Sequence, residues 1–158
     1  MKIFLIVIAI MVSFYIYRNS TKGMKDITIS KETETIVGNV SDIERNISRL
    51  MNSDYENAFL IIYIFGTEDF LQFTGDAQGV QMDFPLITAR QKSIEKRFRN
   101  IAKIQSLKID DNQGSDGSGF LDIELNGEAS DISIKIQKFM LELYQINEET
   151  KRNFELEI

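Results

Sequence analysis

The residues that most often carry out catalysis are missing from this 158-residue chain, because it contains no histidine and no cysteine. Histidine is the commonest general base and transition-metal ligand, and cysteine supplies the thiolate nucleophile. Glu68 with Asp69, and Asp122 with Glu124, are carboxylate pairs of the type used in general acid-base chemistry. Each pair is predicted at a turn or on the solvent face of a strand. No enzyme is therefore predicted, and a hydrolase using carboxylates, serine or lysine remains the enzymatic alternative.

The loop "DDNQGSDGSG", residues 110–119, offers oxygen donors of the kind that bind calcium. An EF-hand loop starting at Asp110 needs glycine where Ser115 stands and a bidentate glutamate where Leu121 stands. The spacing therefore favours a plain hairpin loop, and we predict no metal and no other cofactor.

Six basic residues cluster in one segment of a chain whose formal net charge is −6. They are Arg90, Lys92, Lys96, Arg97, Arg99 and Lys103, and Glu95 is the one acidic residue among them. Thr88 and Gln91 have capping-box spacing, which predicts a helix over about 88–103. Its basic face could bind an acidic partner, a sister subunit or anionic lipid, and a solvated face without a partner is the alternative. Nucleic acid is not expected, because the rest of the domain is acidic.

Hydrophobic periodicity predicts the elements that surround this helix. A first helix over about 41–52 precedes three strands within "AFLIIYIFGTEDFLQFTGDAQGVQMDFPL", residues 58–86, and Pro85 is predicted to stop the third strand. "SLKID" and "GFLDIEL" form a second hairpin. The order α-β-β-β-α-β-β-α predicts an α+β domain with an antiparallel sheet over residues 41–158.

Two segments of the second half are less regular. Ile132, Ile134 and Ile136 alternate as in a strand, but the spacing of Ile132, Ile136, Phe139 and later residues is helical and continues further, so a helix is predicted. "RNFELEI" at the carboxyl terminus is typical of a final edge strand.

An N-terminal membrane anchor is predicted over residues 1–18, followed by a polar linker over 19–40 in which "DITIS" could form a short edge strand. Residues 3–17 are apolar except for Ser13, and the segment includes Ile3, Leu5, Ile10, Phe14 and Tyr17. A cleaved signal peptide and a buried soluble segment are the alternatives. More basic residues follow the segment than precede it, which favours a single-pass protein with a cytoplasmic domain.

The element order, the "FLQF" second strand, the "FPL" end of the third and the final helix running into "ELYQINEET" resemble the TY-Chap family, whose domains are similar to class I type III secretion chaperones. The resemblance covers about residues 41–158. It implies a non-enzymatic fold that often dimerises and offers its sheet or helix groove to an extended partner segment.

These patterns predict a membrane-anchored, chaperone-like protein-binding module that serves a membrane or secretion complex. The alternative is a permanent structural subunit of a membrane assembly. The predicted contact surfaces are the sheet edge and the basic helix, with Phe70, Phe73, Met82, Phe84, Arg90, Lys96, Arg97, Arg99 and Lys103 as contact residues. For Phe70, Phe73 and Phe84 the alternative is that they fill the core. The predicted partners are an acidic or extended protein segment, the bilayer and a second copy in a homodimer.

Overall fold

Alternating apolar and polar residues build a seven-stranded antiparallel sheet in the computed structural model, which describes residues 33–65, 69–114, 117–146 and 149–158. The strands are β1 (Thr33–Gly38), β2 (Phe59–Phe65), β3 (Asp69–Asp76), β4 (Gly79–Leu86), β5 (Ile109–Gln113), β6 (Gly119–Asn126) and β7 (Arg152–Glu157). Their order across the sheet is β1-β7-β2-β3-β4-β6-β5. The strands β2, β3 and β4 therefore lie in the middle of the sheet, and β1 and β5 form its edges.

Three helices form the second layer, namely α1 (Ile43–Met51), α2 (Ala89–Ile104) and α3 (Ala129–Tyr144). A single 3₁₀ turn, Val40–Asp42, leads into α1. The helix α3 contacts both α1 and α2, so the three helices lie side by side. Because α2 follows the end of β4 and α3 follows the end of β6, α2 and α3 run in opposite directions along the sheet.

The core lies between the sheet and the helices. Each strand directs alternate side chains to this side, as in Leu60 and Ile62 of β2 or Met82 and Phe84 of β4, and all four are buried. The helices contribute their apolar faces. The intervening strand residues point to the opposite face of the sheet, here named the open face, over which the described residues place no helix.

The predicted α+β class with an antiparallel sheet is confirmed. The helix predicted over the ambiguous segment is also correct, since Ala129–Tyr144 is helical throughout. The residues with helical spacing, Ile132, Ile136 and Phe139, pack against the core. The longer helical periodicity is therefore a better guide here than the short alternation of a strand.

Three local predictions differ from the structure. The strand β7 is not an edge strand, because it pairs with β1 on one side and with β2 on the other. Residues 33–38, predicted as part of a linker, form the edge strand β1. Pro85 does not stop β4, which continues to Leu86, because Pro85 pairs only with Phe120 of β6 and the pairing of β4 with β3 ends at Asp83 and Gln72.

The predicted anchor over residues 1–18, the "DITIS" strand and residues 66–68, most of the turn predicted over 66–69 between β2 and β3, lie outside the described residues. None of the helices within the described ranges is long and apolar enough to cross a membrane.

Candidate interaction surfaces

The apolar residues predicted to contact a partner lie inside the domain. Phe73, Met82 and Phe84 are fully buried between the sheet and the helices, and Phe70 is 3% exposed on the open face. The predicted sheet edge is wrong, because the strands β3 and β4 lie in the middle of the sheet. Their inward alternation belongs to the core. The alternative prediction, that Phe73 and Phe84 fill the core, is confirmed.

The helix α2 presents its basic residues on a firmly anchored backbone. Its N-terminus is closed by a capping box, in which Thr88 Oγ1 accepts from the backbone N–H of Gln91 and Gln91 Oε1 accepts from the backbone N–H of Thr88. Phe98, Ile101 and Ala102 bury the opposite side of the helix. The outward side is therefore held in a fixed orientation.

Two of the predicted basic contact residues are engaged within the domain. The Nε atom of Arg90 lies 3.1 Å from the buried carboxylate of Asp69, and its guanidinium lies over the ring of Phe65. Arg99 forms ion pairs with Glu95 and Asp111. Both arginines therefore connect α2 to the sheet, and their charges are already paired within the domain.

Four other basic residues of α2 are exposed and form what we call the cationic face. They are Lys92, Lys96, Arg97 and Lys103. Within the described part of the chain their side chains make no ion pair and no hydrogen bond. Glu95, the one acidic residue of α2, is paired with Arg99 and so does not neutralise these four side chains. The cationic face is therefore available to a negatively charged partner.

The pairing of Arg99 gives a prediction about Asp111. Hydrogen bonds from the Arg99 guanidinium lower the pKa of the Asp111 carboxyl below its ordinary value. Because the pKa of Asp111 is lower in the folded state than in the unfolded state, the ion pair stabilises the fold at pH values above the unfolded-state pKa. This stabilisation is lost as the pH falls through the folded-state pKa. We expect Arg99→Gln to raise the Asp111 pKa towards the ordinary aspartate value in an NMR titration. An unchanged Asp111 titration would show that the pair does not form in solution.

A β-bulge brings together a cluster that the sequence did not predict. The register shift between Tyr63 and Phe65 places Phe65 on the helix side of the sheet, opposite Asp69. There its ring lies 6.1 Å from that of Tyr144, and the guanidiniums of Arg90 and Arg152 lie 4.4 and 5.8 Å from its centre. Burial and the nearby Asp69 carboxylate raise the pKa of Tyr144. The cluster closes one end of the core.

The open face has the opposite charge to α2. Its strand residues include seven carboxylates and no lysine or arginine: Asp76, Asp83, Asp110, Asp122, Glu124, Glu155 and Glu157. Asp83, Asp122 and Asp110 stand in one row across β4, β6 and β5. The amide of Gln81 donates to both Asp83 and Asp122. The two layers therefore carry opposite charges.

A groove of about 560 Å³ lies at one end of the open face. It is bordered by the connection between α1 and β2, by the hairpin between β3 and β4, and by β6. Its charged lining residues, among those that the structure describes, are Asp54, Glu56, Asp76 and Glu124, which are all exposed. Sequence reasoning missed this groove, because three separate segments contribute to it.

The described oxygen donors at the start of the predicted hairpin loop are engaged in contacts within the sheet and with its neighbours. Asp110, Asp111 and Asn112 belong to the strand β5, where Lys108 pairs with Asp110, Arg99 pairs with Asp111, and Asn112 donates to Asp122. Within the described ranges, no group of three or more carboxylates is arranged to hold a metal ion.

The chain is thus a two-layer α+β protein with a cationic helix face and an acidic sheet face. Comparison with family models, curated proteins and solved structures finds no match. The resemblance to the TY-Chap family therefore stays a prediction.

Proposed function

We propose that this chain is a membrane-tethered, non-enzymatic protein-binding module that acts as a chaperone-like accessory or assembly factor. The cationic face of α2 is its binding surface for an acidic segment of a partner protein. The observation that carries this proposal is the presence of four exposed basic side chains on one helix face of an acidic protein. Such charge complementarity selects partners and accelerates their encounter.

The anchored helix makes the surface suitable for recognition. The capping box and the buried face of α2 fix its backbone before any partner arrives. Binding then requires ordering of the lysine and arginine side chains only, which reduces the entropic cost of association. The absence of imidazole and thiol from the sequence favours binding over catalysis. The tether is proposed from the apolar segment 3–17, with the domain on the cytoplasmic side.

Charge reversal tests the proposed function. The α2-reversed variant carries Lys92→Glu, Lys96→Glu and Arg97→Glu in the full-length chain. We expect it to bind a labelled poly-glutamate peptide at least about tenfold more weakly at low ionic strength, because attraction becomes repulsion. Fluorescence anisotropy measures the affinity, and cross-linking in native membranes shows whether protein neighbours are lost in parallel.

The matched control places the same charge change elsewhere. The control variant carries Arg45→Glu, Lys138→Glu and Lys151→Glu, which lie outside α2. We expect it to keep most of the peptide affinity. Equal weakening by both variants would show that net charge, and not the cationic face, governs binding. Circular dichroism verifies that each variant is folded.

A permanent structural subunit of a membrane assembly is the second candidate. It is favoured by three large apolar side chains that are exposed on the helical layer, Ile104, Ile134 and Leu141. Subunits that never dissociate have apolar interfaces. In that case Ile134→Ser with Leu141→Ser would abolish co-purification with the assembly, whereas the α2-reversed variant would still co-purify.

A further inference from the structure

The two oppositely charged surfaces of this domain cannot meet within one copy. The cationic face lies on the outer side of the helical layer, and the acidic groove opens on the other side of the sheet. The packed core separates them. In a pair of copies, however, the helix of one can approach the groove of the other. Complementary surfaces on opposite sides of a molecule produce a head-to-tail contact.

We propose that the acidic groove of one copy binds the cationic face of α2 from a second copy of this chain. This inference rests on the proposed function, since it names an acidic partner for the same helix face. The four carboxylates of the groove and the four basic residues of α2 match in number and are opposite in sign.

The dimensions of the two surfaces also agree. Lys92 and Lys103 are eleven residues apart on α2, which corresponds to about 16 Å along the helix axis. The groove extends from Glu56, just before β2, to Glu124 on β6. Three strand spacings separate β2 from β6, a width of about 14 Å. The helix face and the groove can therefore align along their length.

A head-to-tail contact leaves one cationic face and one groove unoccupied at the ends of each assembly. The association is therefore expected to be open and concentration-dependent. A membrane tether would favour it, because it confines the copies to one surface and raises their effective concentration. Salt would oppose it, since both surfaces are exposed to solvent.

Charge exchange between two variants tests this arrangement in the full-length protein, kept in one detergent. The groove-reversed variant carries Asp54→Lys, Glu56→Lys and Glu124→Lys, and its complement is the α2-reversed variant. Sedimentation velocity gives the weight-average mass of each protein at low and high ionic strength. The wild type is expected to associate at low salt and to become monomeric at high salt. Each variant alone is expected to be monomeric, and their equimolar mixture is expected to associate again.

The outcomes separate this inference from the proposed function. Restored association in the mixture supports the head-to-tail contact. A wild type that stays monomeric at low salt overturns it. The same result is expected if the groove is occupied by a foreign basic segment or by the segment 18–31 of the same chain, which contains four basic residues. Association that persists in both variants alone overturns it too, because another surface is then responsible. A monomeric wild type that still binds poly-glutamate through α2 would leave the proposed function standing.

Discussion

Replacing Phe98 with alanine is expected to lower the free energy of unfolding by about 3–5 kcal/mol, the largest change among our predictions. Phe98 is fully buried on α2. Its ring stacks on Phe84 of β4 with centroids 4.3 Å apart and lies 4.9 Å from the ring of Phe139 on α3. One side chain therefore joins the sheet to two helices, and its loss leaves a cavity between three elements that cannot all close it.

Urea denaturation followed by circular dichroism measures this effect. The control is Ile134→Ala on α3, because Ile134 is 65% exposed and its removal should change stability by no more than about 0.5 kcal/mol. A loss below about 1 kcal/mol for Phe98→Ala would contradict the three-element stack, since it would mean that the site is solvated or easily filled.

Replacing Gln91 with leucine is expected to lower the free energy of unfolding by about 2 kcal/mol, the second largest effect among our predictions. Gln91 is fully buried, and its Oε1 atom accepts from the backbone N–H groups of Ile87 and Thr88 at 3.0 and 2.8 Å. Leucine has a similar size but offers no acceptor. Both donors at the start of α2 would then lose their partner.

The conservative variant Gln91→Glu separates the hydrogen bonds from packing. Its carboxylate keeps the acceptor and lies at the positive end of the helix, so we expect it to retain more stability than leucine. Equal stability of the two variants would assign the role of Gln91 to its volume. Urea titrations at neutral pH give both values.

The sequence predicted well those elements whose signals are local. The capping box at Thr88 and Gln91 correctly placed the start of α2, because both partners of the motif lie within one turn. The edge strand β1 was missed, since the polar sequence of Thr33–Gly38 has little apolar alternation of its own. It is a strand because β7 supplies its partner from the other end of the chain.

Among the candidate surfaces, too, the one formed by a single element could be predicted from the sequence, and the one formed by distant segments could not. The cationic face could be predicted, because all its residues belong to one helix whose inner face is apolar. The burial of Met82 could not be predicted, since the alternation of a strand does not show which face is covered. The groove depends on the positions of Asp54 and Glu124, which are brought together only by the strand order.

The pairing of β1 with β7 has a consequence for biosynthesis. Thr33 and Glu157 are hydrogen-bonded neighbours, although 124 positions separate them along the chain. Nascent polypeptides leave the ribosome amino end first, so β1 is made before the other described strands and helices and its neighbour β7 is made after them. Until residues 152–157 have left the ribosome, β1 has no neighbouring strand to pair with and cannot join the sheet. A stop codon ahead of Arg152 would thus remove two strands from the folded product.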